Sequence, residues 1–310
     1  MWTIVWMMSL VYNSHDGLEA TDRLIPPGWQ GNPWGPEATK AREAGQIPQI
    51  ALTEGMKQWD RWGKLVLRDG DILFRRGDAK LLRGHFPFSR FIANVSGSQF
   101  SHTGIAAVEK GEPVVYDTTK AGVRRQPFCV WVLDNVGPFG VKRVRPESQA
   151  YAARAVQFCR DAFARQVPFD YDLGITDDQF YCVEMSEKAY RNNGLPLAEP
   201  LKLGDMENVN QFPICVMVFL KLSKLNLEQL VFFPGNDRHG IWSSPHLMTV
   251  YASPPIPLPT GPRPSPGNAA ATTGGAAAGQ PSAAARPAAG ATSTGTGTGN
   301  TAARDAARTH

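Results

Sequence analysis

With 310 residues and a net charge of +4, the chain is long enough for one large domain or two small ones. Arg263, Arg286, Arg304 and Arg308 against Asp305 place three of those four positive charges in residues 253–310. The remainder is near neutral, which excludes a basic face for nucleic acid. Four cysteines (Cys129, Cys159, Cys182, Cys215) with no CxxC and no Cys/His ligand spacing argue against a disulfide framework, a zinc site or any other metal or cofactor signature.

The first dozen residues, "MWTIVWMMSLVY", are apolar, lack the basic start of a secretory signal and are too short to span a bilayer. A signal or anchor remnant and a helix packed on the domain both stay open. So do membrane association and the choice between bacterial cell envelope and cytoplasm. Residues 1–60 read as an N-terminal arm rich in Pro, Gly and Trp ("IPPGWQGNPWGPE") followed by one or two short helices. Asp69-Gly70-Asp71 predicts a turn into a strand at Ile72–Phe74, and "FSRFIANVSGSQ" a short helix ending near Gly97. A β-meander follows, with strands near 102–108, 113–118 and 122–133 and turns at Lys110-Gly111 and Ala121-Gly122. "GPFGVKRVR" adds a strand; 147–166 and 180–192 read as helices. "FPICVMVFLKL" predicts a buried strand or helix. This order gives an α+β domain over 61–252. Residues 253–310 are mostly Ala, Gly, Pro, Ser and Thr without an aromatic, the composition of a disordered tail.

Chemistry concentrates in "DDQFYCVEMSEKAYRNNG", residues 177–194. Cys182, Met185, Ser186, Ala189 and Tyr190 fall at helical spacing on one face. Glu184, Glu187, Lys188 and Arg191 take the opposite face as two i,i+4 pairs. Asp177 and Asp178 stand where a cap belongs, and Asn192-Asn193-Gly194 followed by Pro196 stops the helix. Cys182 therefore lies near a helix N-terminus, where unpaired N–H groups favour a thiolate. The other three cysteines sit in apolar or helical runs and read as packing residues. A nucleophilic cysteine needs a base. Of the six histidines, His102 alone opens a strand directly after a Gly/Ser loop, "SGSQFSHTGIAAV".

Taken together, "GDILFRRG", "SGSQFSHTGIAAV", "PVVYDTTKAGVRRQPF", "GVKRVR", "FDYDLGITDDQFYCVEMSEKAY" and "FFPGNDRHGIWSSPHL" resemble, in order and spacing, the permuted papain-like thiol hydrolases. These are the YiiX/YaeF-like branch of the NlpC/P60 superfamily. The resemblance spans about 65–250 and places His102 before Cys182, the permuted order. It implies a circularly permuted papain-like fold with a small curled antiparallel sheet packed on helices. It also implies Cys182 as nucleophile, His102 as base and a third polar residue on the next strand. Asp117 suits that role chemically, but alternation puts Tyr116 and Asp117 on opposite faces. Tyr116 stays open as the cleft-facing residue, and Tyr181 as a cleft-lining one. Val183 stands where the family usually has Ser.

The activity implied is hydrolysis of an amide or ester through an acyl-enzyme, on a peptide, cell-wall or lipid acyl substrate. The rival readings are an acyltransferase and a non-catalytic cell-wall or lipid binding module on the same fold. A redox sensor at Cys182 lacks an evident resolving cysteine.

Overall fold

The structure is a computed structural model that describes residues 28–80, 85–223 and 225–253. The expectations for the first dozen residues and for 254–310 fall outside them.

Among the described residues, helices α1 (Pro36–Glu43) and α2 (Glu54–Val66) lead into strand β1 (Ile72–Arg75). Helix α3 (Phe88–Val95) follows, then strands β2 (His102–Glu109), β3 (Glu112–Thr119) and β4 (Gly122–Pro127) and the single turn α4 (Phe128–Trp131). After β5 (Phe139–Val144) come α5 (Ala150–Ala164) and α6 (Cys182–Arg191), the short strand β6 (Leu201–Lys202), α7 (Pro213–Ser223), β7 (Leu230–Val231) and β8 (Leu247–Ala252). Six strands form one antiparallel sheet in the order β4-β3-β2-β1-β5-β8, and β6 pairs with β7 apart from it. The architecture is thus mixed α and antiparallel β.

Period-two alternation divides the sheet. Ile72, Phe74, Ile105 and Tyr116 point to one face and join the core formed with α5 and α6. Leu73, Ala106, Val115 and Val141 point to the other and pack on Phe128 and Trp131, with Trp59 and Trp62 of α2 against them. The "GDI" turn anchors this arrangement. Gly70 has φ +80°, and a Cβ there would lie 2.7 Å from the Ala152 Cβ and from the Tyr190 hydroxyl, so only glycine lets α5 and α6 close on the turn. Asp71 is buried; both its oxygens accept from Arg143 of β5 at 2.7 Å, tying β1 to its neighbour.

Five expectations need correction. The strand expected to run to 133 stops at Pro127, which has no N–H for the ladder, and the chain coils into α4. The segment 213–223 is a helix buried on one face only: Val216 and Phe219 join a core cluster, while Ile214 is 71% exposed and Met217 49%. The polar face expected on α6 is buried as well, because Val183 through Tyr190 are all enclosed. The boundary set at residue 60 falls inside α2. The one set at 253 is early by a residue, since Ser253 still exchanges hydrogen bonds with Phe139 of β5.

Candidate active site

His102 is the first residue of β2 and is 8% exposed. Its side chain shares a face with Arg75 of β1, its cross-strand partner, and with Asp117 of β3. Nε2 lies 2.7 Å from Asp117 Oδ2. The partner of Asp117 across the β3–β4 pair is Arg124, which grips the carboxylate with both arms: Nε to Oδ1 at 3.0 Å and Nη2 to Oδ2 at 2.7 Å. The indole N–H of Trp131 donates to the same Oδ2 at 2.8 Å. Arg75 approaches it at 3.7 Å, stacks on the Trp131 ring at 4.2 Å and pairs with Asp134 at 3.2 Å.

Two arginines and two aspartates are therefore buried together, and their charges balance. Burial alone would raise the Asp117 carboxyl; Arg124 and His102 overcome it and hold the group well below the usual carboxylate range. Asp117 is then an anion that can only accept, so the proton of the Asp117–His102 bond sits on Nε2. Nδ1 is the nitrogen left for Cys182, whose sulfur interacts with the imidazole electrostatically and as a hydrogen-bond partner. Burial is the largest influence on the imidazole and lowers it, and Arg75 lowers it further. Cys182 and Asp117 outweigh both, and the ring is pushed up to about 9.

Cys182 is the first residue of α6 and half-buried. The cap is not made by Asp177 or Asp178. Tyr181 occupies the N-cap position, and its backbone N–H is accepted by Glu184 Oε2 at 3.3 Å, the returning arm of a capping box. Asp177 binds Lys188 instead, at 2.7 Å. Cys129 and Cys159 are buried, and burial pushes the Cys129 thiol up to about 11 and that of Cys159 higher still.

Neither tyrosine singled out in the sequence lines an open cleft. Tyr116 is 2% exposed on the face away from Asp117, its hydroxyl donating to Glu109 at 2.7 Å. Tyr181 is 5% exposed, and its hydroxyl accepts from the Phe232 backbone N–H at 2.5 Å, pinning the "FFPG" segment. Three residues around Asp117 escaped sequence reasoning: Arg75, Arg124 and Trp131. The turn lies at Lys120-Ala121 and not at the expected Ala121-Gly122, which sets Asp117 opposite Arg124 where the expected turn would set it opposite Gln126.

A family model described as the permuted papain-like amidase enzyme, YaeF/YiiX, C92 family, matches residues 66–246. The chain belongs to that family. Among its relatives, the protein named as uncharacterized YiiX of Escherichia coli strain K12 is 24% identical over 193 residues, 58% of this chain and 84% of its own. A crystal structure of YiiX from Escherichia coli O157:H7, described as a metalloprotein, is 25% identical. It covers 61% of this chain and 98% of its own at a TM-score of 0.49. As a family of amidases, its members are hydrolases.

Proposed function

We propose that this amidase is a cysteine hydrolase in which Cys182 attacks, His102 relays the proton and Asp117 holds His102. The observation that carries the reading is the 2.7 Å contact between His102 Nε2 and an Asp117 carboxylate clamped by Arg124. A carboxylate so fixed sets the tautomer and stabilises the imidazolium, leaving Nδ1 free to serve the thiol. The order of His102 before Cys182 agrees with a circular permutation of the papain-like fold.

The Cys182 thiolate adds to the substrate carbonyl carbon, and the electron pair moves to oxygen. First-turn N–H groups of α6 are the natural donors to that oxyanion. As the tetrahedral adduct collapses, His102 gives its Nδ1 proton to the departing amine or alcohol. Water then attacks the thioester with Nδ1 as base, releasing the acid and the free thiol. The substrate classes favoured are cell-wall peptide amides and lipid acyl esters or amides. The metal ascribed to the relative finds no ready seat at these residues. Asp117 has both oxygens taken by Arg124, His102 and Trp131, and no three His, Cys, Asp or Glu side chains among the described residues group as ligands.

The test is a panel of peptidoglycan peptides, N-acyl amino acids and lysophospholipids offered to wild type, Cys182→Ala, His102→Ala and the double variant. Turnover of one class should vanish equally in all three variants, because the pair acts as a unit. Turnover that survives Cys182→Ala would refute the proposal.

A further inference from the structure

His102 and Thr103 are neighbours on β2, and alternation sends them to opposite faces of the sheet. His102 turns toward Asp117. Thr103 turns toward α6, where its hydroxyl lies 3.2 Å from the Cys182 carbonyl oxygen and 2.9 Å from the Ser186 hydroxyl. Ser186, one helical turn after Cys182, reaches back to the same carbonyl at 3.3 Å. Thr103 and Ser186 are fully buried. One strand over, Thr118 Oγ1 donates to Met185 Sδ at 3.0 Å, a second tie between the sheet and the first turn of α6.

The triangle has two hydroxyl protons and three contacts. Whichever hydroxyl donates to the Cys182 carbonyl, the other donates to it in turn. The carbonyl of this first helical residue also accepts the Ser186 backbone N–H of the helix ladder, so the hydroxyls serve its second lone pair: removing one leaves that lone pair a donor, and removing both leaves it none.

We infer that Thr103 and Ser186 are positioning residues that hold the Cys182 carbonyl, each able to stand in for the other as its hydroxyl donor, with Thr103 carrying the tie to the strand that bears His102. The inference rests on the thiol-hydrolase reading. It adds that the alignment of sulfur and imidazole is fixed through the nucleophile's own carbonyl, from the far side of the sheet.

The experiment follows carboxamidomethylation of Cys182 by iodoacetamide from pH 5 to 10, mapped by peptide mass spectrometry, with melting curves in parallel. It uses the full chain as wild type, Thr103→Val, Ser186→Ala, the double variant and His102→Ala. Each single variant should react within about 3-fold of wild type. The double should be slower by about 10-fold, one hydrogen bond's worth, with a pH profile displaced toward that of His102→Ala. Thr103→Ser in the Ser186→Ala background should restore both rate and profile. A double variant that reacts like wild type, or no worse than the two singles multiplied, while His102→Ala is slow, overturns the inference and spares the hydrolase reading. If His102→Ala is as fast as wild type, that reading falls and the inference with it. Should the double variant not fold, Thr103→Ser with Ser186→Ala still decides: a slow, His102-independent rate there is equally fatal.

Discussion

Two carboxyl groups stand behind the two halves of the site, and they are held oppositely. Asp117 behind His102 and Glu184 behind Cys182 are both fully buried. Asp117 has a two-armed guanidinium, an indole N–H and an imidazole, and stays anionic. Glu184 has two backbone N–H groups at 3.2 and 3.3 Å and a single ammonium, Lys188, at 3.3 Å, which it shares with Asp177. Burial pushes its carboxyl up to about 8, against Lys188 and with the help of nearby Asp170. Burial acts on both groups in the same direction; the number and charge of the partners decide which one ionises.

Substituting each acid by its amide should expose the contrast. The largest effect is expected for Asp117→Asn. It leaves Arg75 and Arg124 with one fewer buried anion, costing about 3–5 kcal/mol of stability in denaturant titration. It also surrenders the carboxylate that holds the imidazole, with a loss of about 10³- to 10⁴-fold in kcat. The pH profile should move too. On the proposed mechanism the imidazolium proton that serves the leaving group is lost as pH rises through about 9, so the wild-type rate should fall there. Asp117 is among the groups that raise that value, and in the amide variant the fall should begin at lower pH.

Cysteine labelling comes next in size. At pH 7 iodoacetamide should modify Cys182 at least about 10-fold faster than Cys129 or Cys159, whose thiols are buried and pushed up. Equal labelling of all three in folded protein would mean that the helix start confers nothing.

Glu184→Gln should do far less, and with the opposite pH sense. The folded carboxyl binds its proton more tightly than the unfolded one, so wild type loses stability as pH climbs from about 4.5 and levels off above about 8. The amide carries no such loss. The two proteins should melt together near pH 5, and the variant should melt higher by pH 8. The smallest effect is expected from ending the chain at Pro254, which keeps the Ser253 bonds to β5. The residues removed are mostly Ala, Gly, Pro, Ser and Thr, so the melting temperature should stay within about a degree.

The contrast was only half legible in the sequence. Cys182 and His102 could be chosen because their types and positions, a helix start and a strand start, carry chemical meaning. Asp117 was within reach by residue type; its partner Arg124 was missed, because the turn expected at Ala121-Gly122 is one residue out of register. Arg75 was not: at the end of "DILFRRG" it reads as a solvent residue. Its burial depends on Trp131, which comes beneath it only because the chain coils after Pro127. The enclosure of Glu184 was equally hidden. The periodicity of α6 marks its polar face correctly, but nothing local says that Tyr181, Thr176 and Lys188 will close over that face and take up its charges.

The connectivity of the site bears on how it comes into being. The contacts of His102 and Asp117 span 15 residues, those of Asp117 with Arg124 and Trp131 span 7 and 14, and all lie within the meander and the turn α4 that follows it. The contacts that bring Cys182 to β2 span 79 and 83. Loop-closure entropy favours the short set first, so the imidazole and its carboxylate can be in place before the thiol arrives. On the proposed mechanism, the base then waits without its nucleophile on the ribosome or in a partly opened chain, and completion of the fold, when α6 docks, is the last step in arming the protein.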